Sequence, residues 1–274
     1  MNSYMKYLRL NKLPHIWCMG CGNGIVMQAI VRALDSMKID PNKVVAVSGI
    51  GCSSRATGYM DLNTVHTAHG RAIPFATGIK LANPELTVIV ITGDGDATAI
   101  GGNHFIHAAR RNIDLTVILF NNGIYGMTGG QYSPLTPHAS FSTTCSCGNI
   151  ERQFDVCELA KSTGATYVAR GTTYHARMLP RLVKNAIEHK GFSIIDAMCG
   201  CPTYYGKMNN QASAASILEY QRDKAVNIED AKSMTPEQLQ DKFLIGELHH
   251  VDCDECTELY SKQFDKIYDK QRKV

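Results

Sequence analysis

Three short apolar runs, at residues 44–47, 86–91 and 115–120, are separated by segments whose apolar residues recur at helical spacing. This alternation constrains the fold more than anything else in the chain. Strands that are apolar throughout are buried on both faces, and such strands belong to parallel sheets covered by helices on both sides. The spacing predicts a β-loop-α-β core with helices near 24–37, 73–81 and 98–111, and further on helices at 154–162 and 175–189 with strands at 167–169 and 192–198. The fold class expected is α/β, a doubly wound, mainly parallel sheet. Ligands of such sheets gather at the carboxyl ends of the strands.

Three small-residue turns fall at those ends: Gly49-Ile50-Gly51-Cys52-Ser53, Gly93-Asp94-Gly95-Asp96 and Asn121-Asn122-Gly123. Glycines let the backbone approach a diphosphate, and a following helix offers free N–H groups at its positive end. One carboxylate and one amide oxygen are hard ligands suited to Mg²⁺. Residues 127–150, rich in Gly, Ser, Thr and Pro, read as a long functional loop. Beyond Ile217 the pattern turns polar, and the tail is assigned to surface helices or to partner contact.

With 274 residues, 44% of them hydrophobic, the chain can bury one substantial core but hardly two independent ones. The division expected is an N-terminal segment 1–22, an α/β domain 23–205 and an extension 206–274. A formal charge of +3 against 28 basic and 25 acidic side chains does not point to nucleic acid or an anionic membrane. The opening residues lack the apolar stretch of a secretory signal and no run reaches spanning length, so a cytoplasmic protein is expected.

Ten cysteines in such a chain suggest metal or redox chemistry rather than disulfides. Cys18 and Cys21 form C-x2-C, which fits zinc, a redox pair or a cubane cluster alike. Cys52 follows the first strand and Cys201 the last, so both can reach the edge where the diphosphate is expected. Four thiolates there suit a [4Fe–4S] cluster better than zinc, which accepts no electron. Cys157 reads as a small core residue. Cys145/Cys147 could hold a second metal, as could Cys253/Cys256 with zinc, being flanked by His249, His250, Asp252 and Asp254.

Gly-Asp-Gly, a helix, a buried strand and Asn-Asn together resemble the diphosphate motif of thiamine-diphosphate enzymes. More specifically, Trp17-Cys18-Met19-Gly20-Cys21-Gly22, Gly49-Ile50-Gly51-Cys52-Ser53-Ser54-Arg55, His69-Gly70-Arg71-Ala72, Gly93-Asp94-Gly95-Asp96 and Asn122-Gly123-Ile124-Tyr125-Gly126-Met127 resemble the β subunit of 2-oxoacid:ferredoxin oxidoreductases. The likeness runs in order from about residue 12 to 205. It implies Mg²⁺ on Asp94, Asn122 and the carbonyl of Ile124. Gly95, Asp96, Gly126 and Met127 then lie along thiamine diphosphate, with Ile50, Gly51, Cys52, Ser53 and His69 also at the cofactor. Cluster ligands fall on Cys18, Cys21, Cys52 and Cys201, the last preferred over Cys199 because it precedes Pro202.

The resemblance also implies a reaction: coenzyme A-dependent oxidative decarboxylation of a 2-oxoacid, with electrons passed to ferredoxin. Arg55 is the candidate for the substrate carboxylate, and the turn it follows favours 2-oxoglutarate over pyruvate or branched-chain acids. The glutamate that activates the cofactor belongs, in that family, to an α subunit, so an obligate α/β complex is expected, with room for ferredoxin-like γ and δ subunits. Two competing readings are a non-redox thiamine enzyme, which would not need four thiolates, and a zinc-stabilised non-enzymatic module.

Overall fold

The structure is a computed structural model and describes residues 3–271. Ten helices of α type are present among them: α1 Asn23–Met37, α2 Ala56–Tyr59, α3 Ala72–Ala82, α4 Gly102–Arg110, α5 Val156–Thr163, α6 Leu179–Glu188, α7 Ala214–Lys224, α8 Ile228–Ala231, α9 Pro236–Leu239 and α10 Cys256–Gln271. Eight strands accompany them: β1 Val44–Ser48, β2 Asn63–His66, β3 Thr87–Gly93, β4 Leu115–Asn121, β5 Tyr167–Thr172, β6 Phe192–Met198, β7 Ala225–Asn227 and β8 Phe243–His250. They form one sheet in the order β2-β1-β3-β4-β6-β5-β8-β7.

The first six strands are parallel. Their side chains alternate between two cores, as a pleat of period two requires. Ala46, Ile89, Ile91, Ile118, Phe120 and Ile195 face a layer containing α1 and α6. Val45, Val47, Val90, Val117, Leu119 and Ile194 face α3, α4 and α5. Cys157 is a fully buried part of the second core, as its helical position suggested. The strand order reverses direction twice, between β1 and β3 and between β4 and β6, and each reversal opens a crevice at carboxyl ends.

Three departures from the expected elements have local causes. The helix expected from 98 is broken: Asp96–Ile100 form a π turn before α4 begins at Gly102, a wide turn of the kind often found at functional sites. The helix expected from 175 starts at Leu179, where Pro180 sits in the first turn and its missing N–H is no loss. The polar tail is not helical only, because β8 pairs antiparallel with β5 and carries β7 beside it. Residues 127–150 contain no helix or strand, as expected. Among the described residues no helix is long and apolar enough to cross a membrane.

Candidate active site

The carboxyl ends of β1, β3 and β4 close around a cavity of about 80 Å³. Its walls include Ile50, Gly51, Cys52, Ser53, His69, Asp94, Gly95, Asp96, Asn122, Ile124, Gly126 and Met127, with Asn23 and Tyr125 beside them. Every residue expected to touch the cofactor or its Mg²⁺ is therefore in one place. Sites that enclose a drug-sized ligand measure roughly 300–1,000 Å³, so this cavity is small by comparison. A larger cavity of about 320 Å³ lies next to it. It contains none of the β1 or β3 turns and is bordered instead by the Arg170–Asp155–Asp196 ion network.

Asp96 holds the walls together. Its carboxylate accepts the N–H groups of Gly70 (2.7 Å) and Ile50 (3.3 Å) and the hydroxyl of Thr92 (2.8 Å), and it pairs with His69 Nδ1. Two separate turns, the one after β1 and the one at His69-Gly70, are tied to the end of β3 through this one side chain. Gly49 must be glycine, because a Cβ there would overlap the Asp96 carboxylate. Gly95 must be glycine for a similar reason: a Cβ would enter the ring of Tyr125, whose hydroxyl donates to the Gly95 carbonyl at 3.1 Å. Asp96 is thus occupied by protein donors rather than free for a ligand.

Asp94 is the opposite case. It is buried, and one side-chain partner, the Ser133 hydroxyl, donates to it at 2.5 Å. Burial pushes its carboxyl up to about 7, with Ser133 and the Gly95 N–H opposing the rise. A buried carboxylate with so little compensation fits a site that receives a cation. The two asparagines divide in the same way. Asn121 donates to Asp196 at 3.0 Å and belongs to the scaffold, whereas Asn122 lines the cavity and has its Oδ1 only on the Ile124 N–H at 3.2 Å. Asn23, at the start of α1, is buried in the cavity wall with its Nδ2 unpartnered. An orphaned donor beside an under-compensated acid fits an anion carried by a metal, which is what Mg-diphosphate is.

The cysteine loop packs behind the Cys52 wall of this cavity. Trp17 Nε1 donates to the Cys52 carbonyl at 2.7 Å and its ring packs on His15 and Tyr59, with centroids at 4.9 and 5.2 Å. A Cβ on Gly22 would overlap the Cys199 carbonyl oxygen, so only glycine lets this loop lie against the end of β6. The Sγ atoms of Cys52 and Cys201 flank Gly126, at 3.7 and 3.6 Å from where its Cβ would be. Burial pushes the Cys21 thiol up to about 12 and Cys52 to about 11, and in both the neighbouring thiols push the same way. A metal centre bound by thiols deprotonates them outright, which would offset the rise at Cys21 and Cys52. Cys199 faces inward instead, its thiol donating to Asn23 Oδ1 (3.3 Å) and the Asn121 carbonyl (3.4 Å).

Arg55 is exposed and its side chain does not line the cavity, although its backbone N–H donates to the Cys52 carbonyl at 3.3 Å and so holds it at the edge of the same turn. Ser133 and Asn23 were not anticipated. Ser133 comes from the irregular loop, and nothing in its neighbourhood marks it; Asn23 directly follows the Cys-Gly pair, and its place at a helix start was the only signal.

A model of the thiamine pyrophosphate enzyme C-terminal TPP-binding domain matches residues 49–197. Fold, cavity and match define a thiamine pyrophosphate enzyme. The chain is 49% identical, over 97% of its length and 99% of the relative, to 2-oxoglutarate synthase subunit KorB of Methanocaldococcus jannaschii. It is 42% identical to the β subunit of 2-oxoacid:ferredoxin oxidoreductase 2 of Aeropyrum pernix, over 82% of this chain and 72% of that one. A solved structure of 2-oxoglutarate:ferredoxin oxidoreductase from Magnetococcus marinus, with 2-oxoglutarate, coenzyme A and succinyl-CoA bound, superposes with a TM-score of 0.87 at 32% identity, covering 97% and 91% of the two chains. The chain belongs to the β subunits of the 2-oxoacid:ferredoxin oxidoreductases, and is an enzyme subunit.

Proposed function

We propose that this subunit holds Mg-thiamine diphosphate and a [4Fe–4S] cluster, and that with an α subunit it oxidatively decarboxylates 2-oxoglutarate to succinyl-CoA and CO2, passing electrons to ferredoxin. The observation that carries the reading is the gathering of the diphosphate-type turns and the Cys52 and Cys201 thiols around a single cavity. The substrate follows from the relatives, three of which are named 2-oxoglutarate synthase subunits at 49% identity or above over at least 90% of this chain.

In this reading Asp94, Asn122 and the Ile124 carbonyl hold Mg²⁺, and Asn23 meets the anion with its free N–H. Residues 1–22 supply Cys18 and Cys21 to the cluster, residues 23–205 supply Cys52, Cys201 and the cofactor walls, and 206–274 extend the sheet. When bound, thiamine diphosphate would supply an electron sink for the decarboxylation and the cluster a one-electron acceptor. The chain's own part is orientation: Asp96 fixes His69 and the Ile50–Ser53 turn against the cofactor, and the Cys52 and Cys201 thiols lie beside Gly126 in the same wall. The carboxylates lining the cavity are Asp94 and Asp96, both assigned here, which supports a partner-borne glutamate and an active site shared between chains. Arg55, exposed and unpaired, is available to a substrate carboxylate once a partner closes the site.

The test is anaerobic. The subunit is purified with its partner, and 2-oxoglutarate and pyruvate are compared for coenzyme A-dependent bleaching of the iron–sulfur absorbance. Bleaching by 2-oxoglutarate alone is expected. Bleaching by pyruvate would keep the chemistry and discard the substrate, and an iron-free complex would discard the redox reading.

A further inference from the structure

The amino ends of β5 and β6, at the edge of the sheet remote from the cavity, carry side chains that this chemistry does not use. His189 just after α6, His250 at the end of β8 and Asp252 just beyond it each bring a ligand atom to within 4.8 Å of the others. The geometry points to a mononuclear divalent-cation site of the zinc class, formed by one imidazole nitrogen from each histidine and an Asp252 oxygen, with water in the fourth position.

The surrounding hydrogen bonds determine which nitrogens are free. Asn112 Nδ2 donates to the Asp254 carbonyl (3.1 Å) and its Oδ1 accepts the Phe192 N–H (2.8 Å), so the backbone fixes the amide's orientation. The Thr166 hydroxyl must then donate to Asn112 Oδ1 (2.8 Å), and its oxygen can only accept from His189 Nε2 (2.7 Å). The proton sits on Nε2, and Nδ1 keeps its lone pair. His250 Nδ1 faces the Glu247 carboxylate at 3.2 Å and donates to it, leaving Nε2 free at 3.8 Å from Asp252 Oδ1. Imidazoles tied in this way through their second nitrogen are held as metal-binding histidines are held. A lone pair facing a carboxylate oxygen repels it unless a cation or a proton lies between them.

The site is also built from fixed parts. Tyr167 is in register with His250, and its ring packs on both histidines at 5.5 and 5.7 Å, while the Val251 N–H bonds to the Thr166 carbonyl at 2.9 Å. A cation here fastens the end of β8, the start of the C-terminal segment, to α6 and β5. The zinc reading of this segment keeps His250 and Asp252 but exchanges the cysteines Cys253 and Cys256 for His189, a residue more than fifty positions earlier that only the fold brings close.

The test loads the assembled complex with its cluster and cofactors, so that the cluster cysteines are occupied, and titrates it with Zn²⁺ alone. Retained zinc is counted after gel filtration, and hydrogen exchange is followed at 243–250. One zinc per chain is expected, with exchange in β8 slowed. His250→Ala and Asp252→Asn, both at exposed positions, are expected to weaken zinc binding by about tenfold or more and to remove the slowing while thiamine content is unchanged. Wild-type zinc affinity in both variants would overturn the proposal. So would zinc lost only in Cys253→Ser or Cys256→Ser, or β8 protection that follows pH with no zinc uptake, which would mark an ordinary histidine–aspartate ion pair.

Discussion

Replacing Arg170 by methionine tests how the scaffold supports the Asn121–Asn122 turn. Arg170 lies on β5 and is buried; its Nε donates to Asp196 at 2.7 Å and its Nη2 to Asp155 at 2.7 Å. The Asp196 side chain is 2% exposed and that of Asp155 47%, so nearly all the cost comes from Asp196. Leaving one partner of a buried pair uncompensated costs roughly 3–5 kcal/mol. With an unfolding entropy near 2.1 cal/mol/K per residue, a chain of this length should melt about 5–9 °C lower. Asp196 also accepts from Asn121, so turnover should fall with stability. Burial alone would raise the Asp155 carboxyl, but Arg170 and the N–H groups of Glu158 and Cys157 outweigh it and hold it below the usual range. A depressed carboxyl gives stability that is present above its ordinary value and lost as pH falls through the folded value, so R170M should also lose part of its acid-side dependence. Thermal and denaturant melts of R170M, D196N and the double variant are the assay. The double variant should recover about 1–2 kcal/mol relative to R170M, because a neutral amide in place of a buried charge costs less. A loss below about 1 kcal/mol in R170M, or strict additivity in the double variant, would refute the reasoning.

Three site predictions are simpler. Cys201→Ser should lose cluster iron while Cys199→Ser retains it, since the Cys199 thiol is committed to Asn23 and Asn121; iron and acid-labile sulfide counts decide. Gly22→Ala should push the Cys18–Cys21 loop away from the Cys199 carbonyl at a cost of about 1–3 kcal/mol, read as iron loss with thiamine diphosphate still bound. Asp94→Asn should weaken Mg-dependent thiamine diphosphate retention by at least about tenfold, and chelating Mg²⁺ in the wild-type protein should mimic it; unchanged retention in both would remove Asp94 from the metal site.

The parallel core was readable because its strands are apolar on both faces and therefore appear as unbroken runs. β2 and β8 were not. Asn63–His66 and Phe243–His250 are edge or near-edge strands with mixed burial, and their pairing is decided by neighbours distant in sequence. The glycine turns were legible for a different reason: Gly49 and Gly95 are places where any side chain would collide, so the composition of the turn records the packing directly. Ser133 and His189 left no such record. Each owes its position to a long-range closure, the first by the irregular loop over β3 and the second by β8 across β5.

Asp94 and Asp96 stand two residues apart in one turn and are treated in opposite ways by the same fold. Asp96 receives two backbone N–H groups, a hydroxyl and an imidazole, more than a carboxylate needs to be buried at little cost. Asp94 is buried as deeply but has no imidazole partner, and the Ser133 hydroxyl with the N–H groups of Gly95 and of Asp94 itself leave its carboxyl pushed up to about 7 by burial. If both were structural, nothing would favour leaving one so poorly compensated, since an unpaired buried acid is among the more costly features a core can hold. The asymmetry makes sense when the fold spends its donors on the residue that builds the wall and leaves the other for a cation that arrives later.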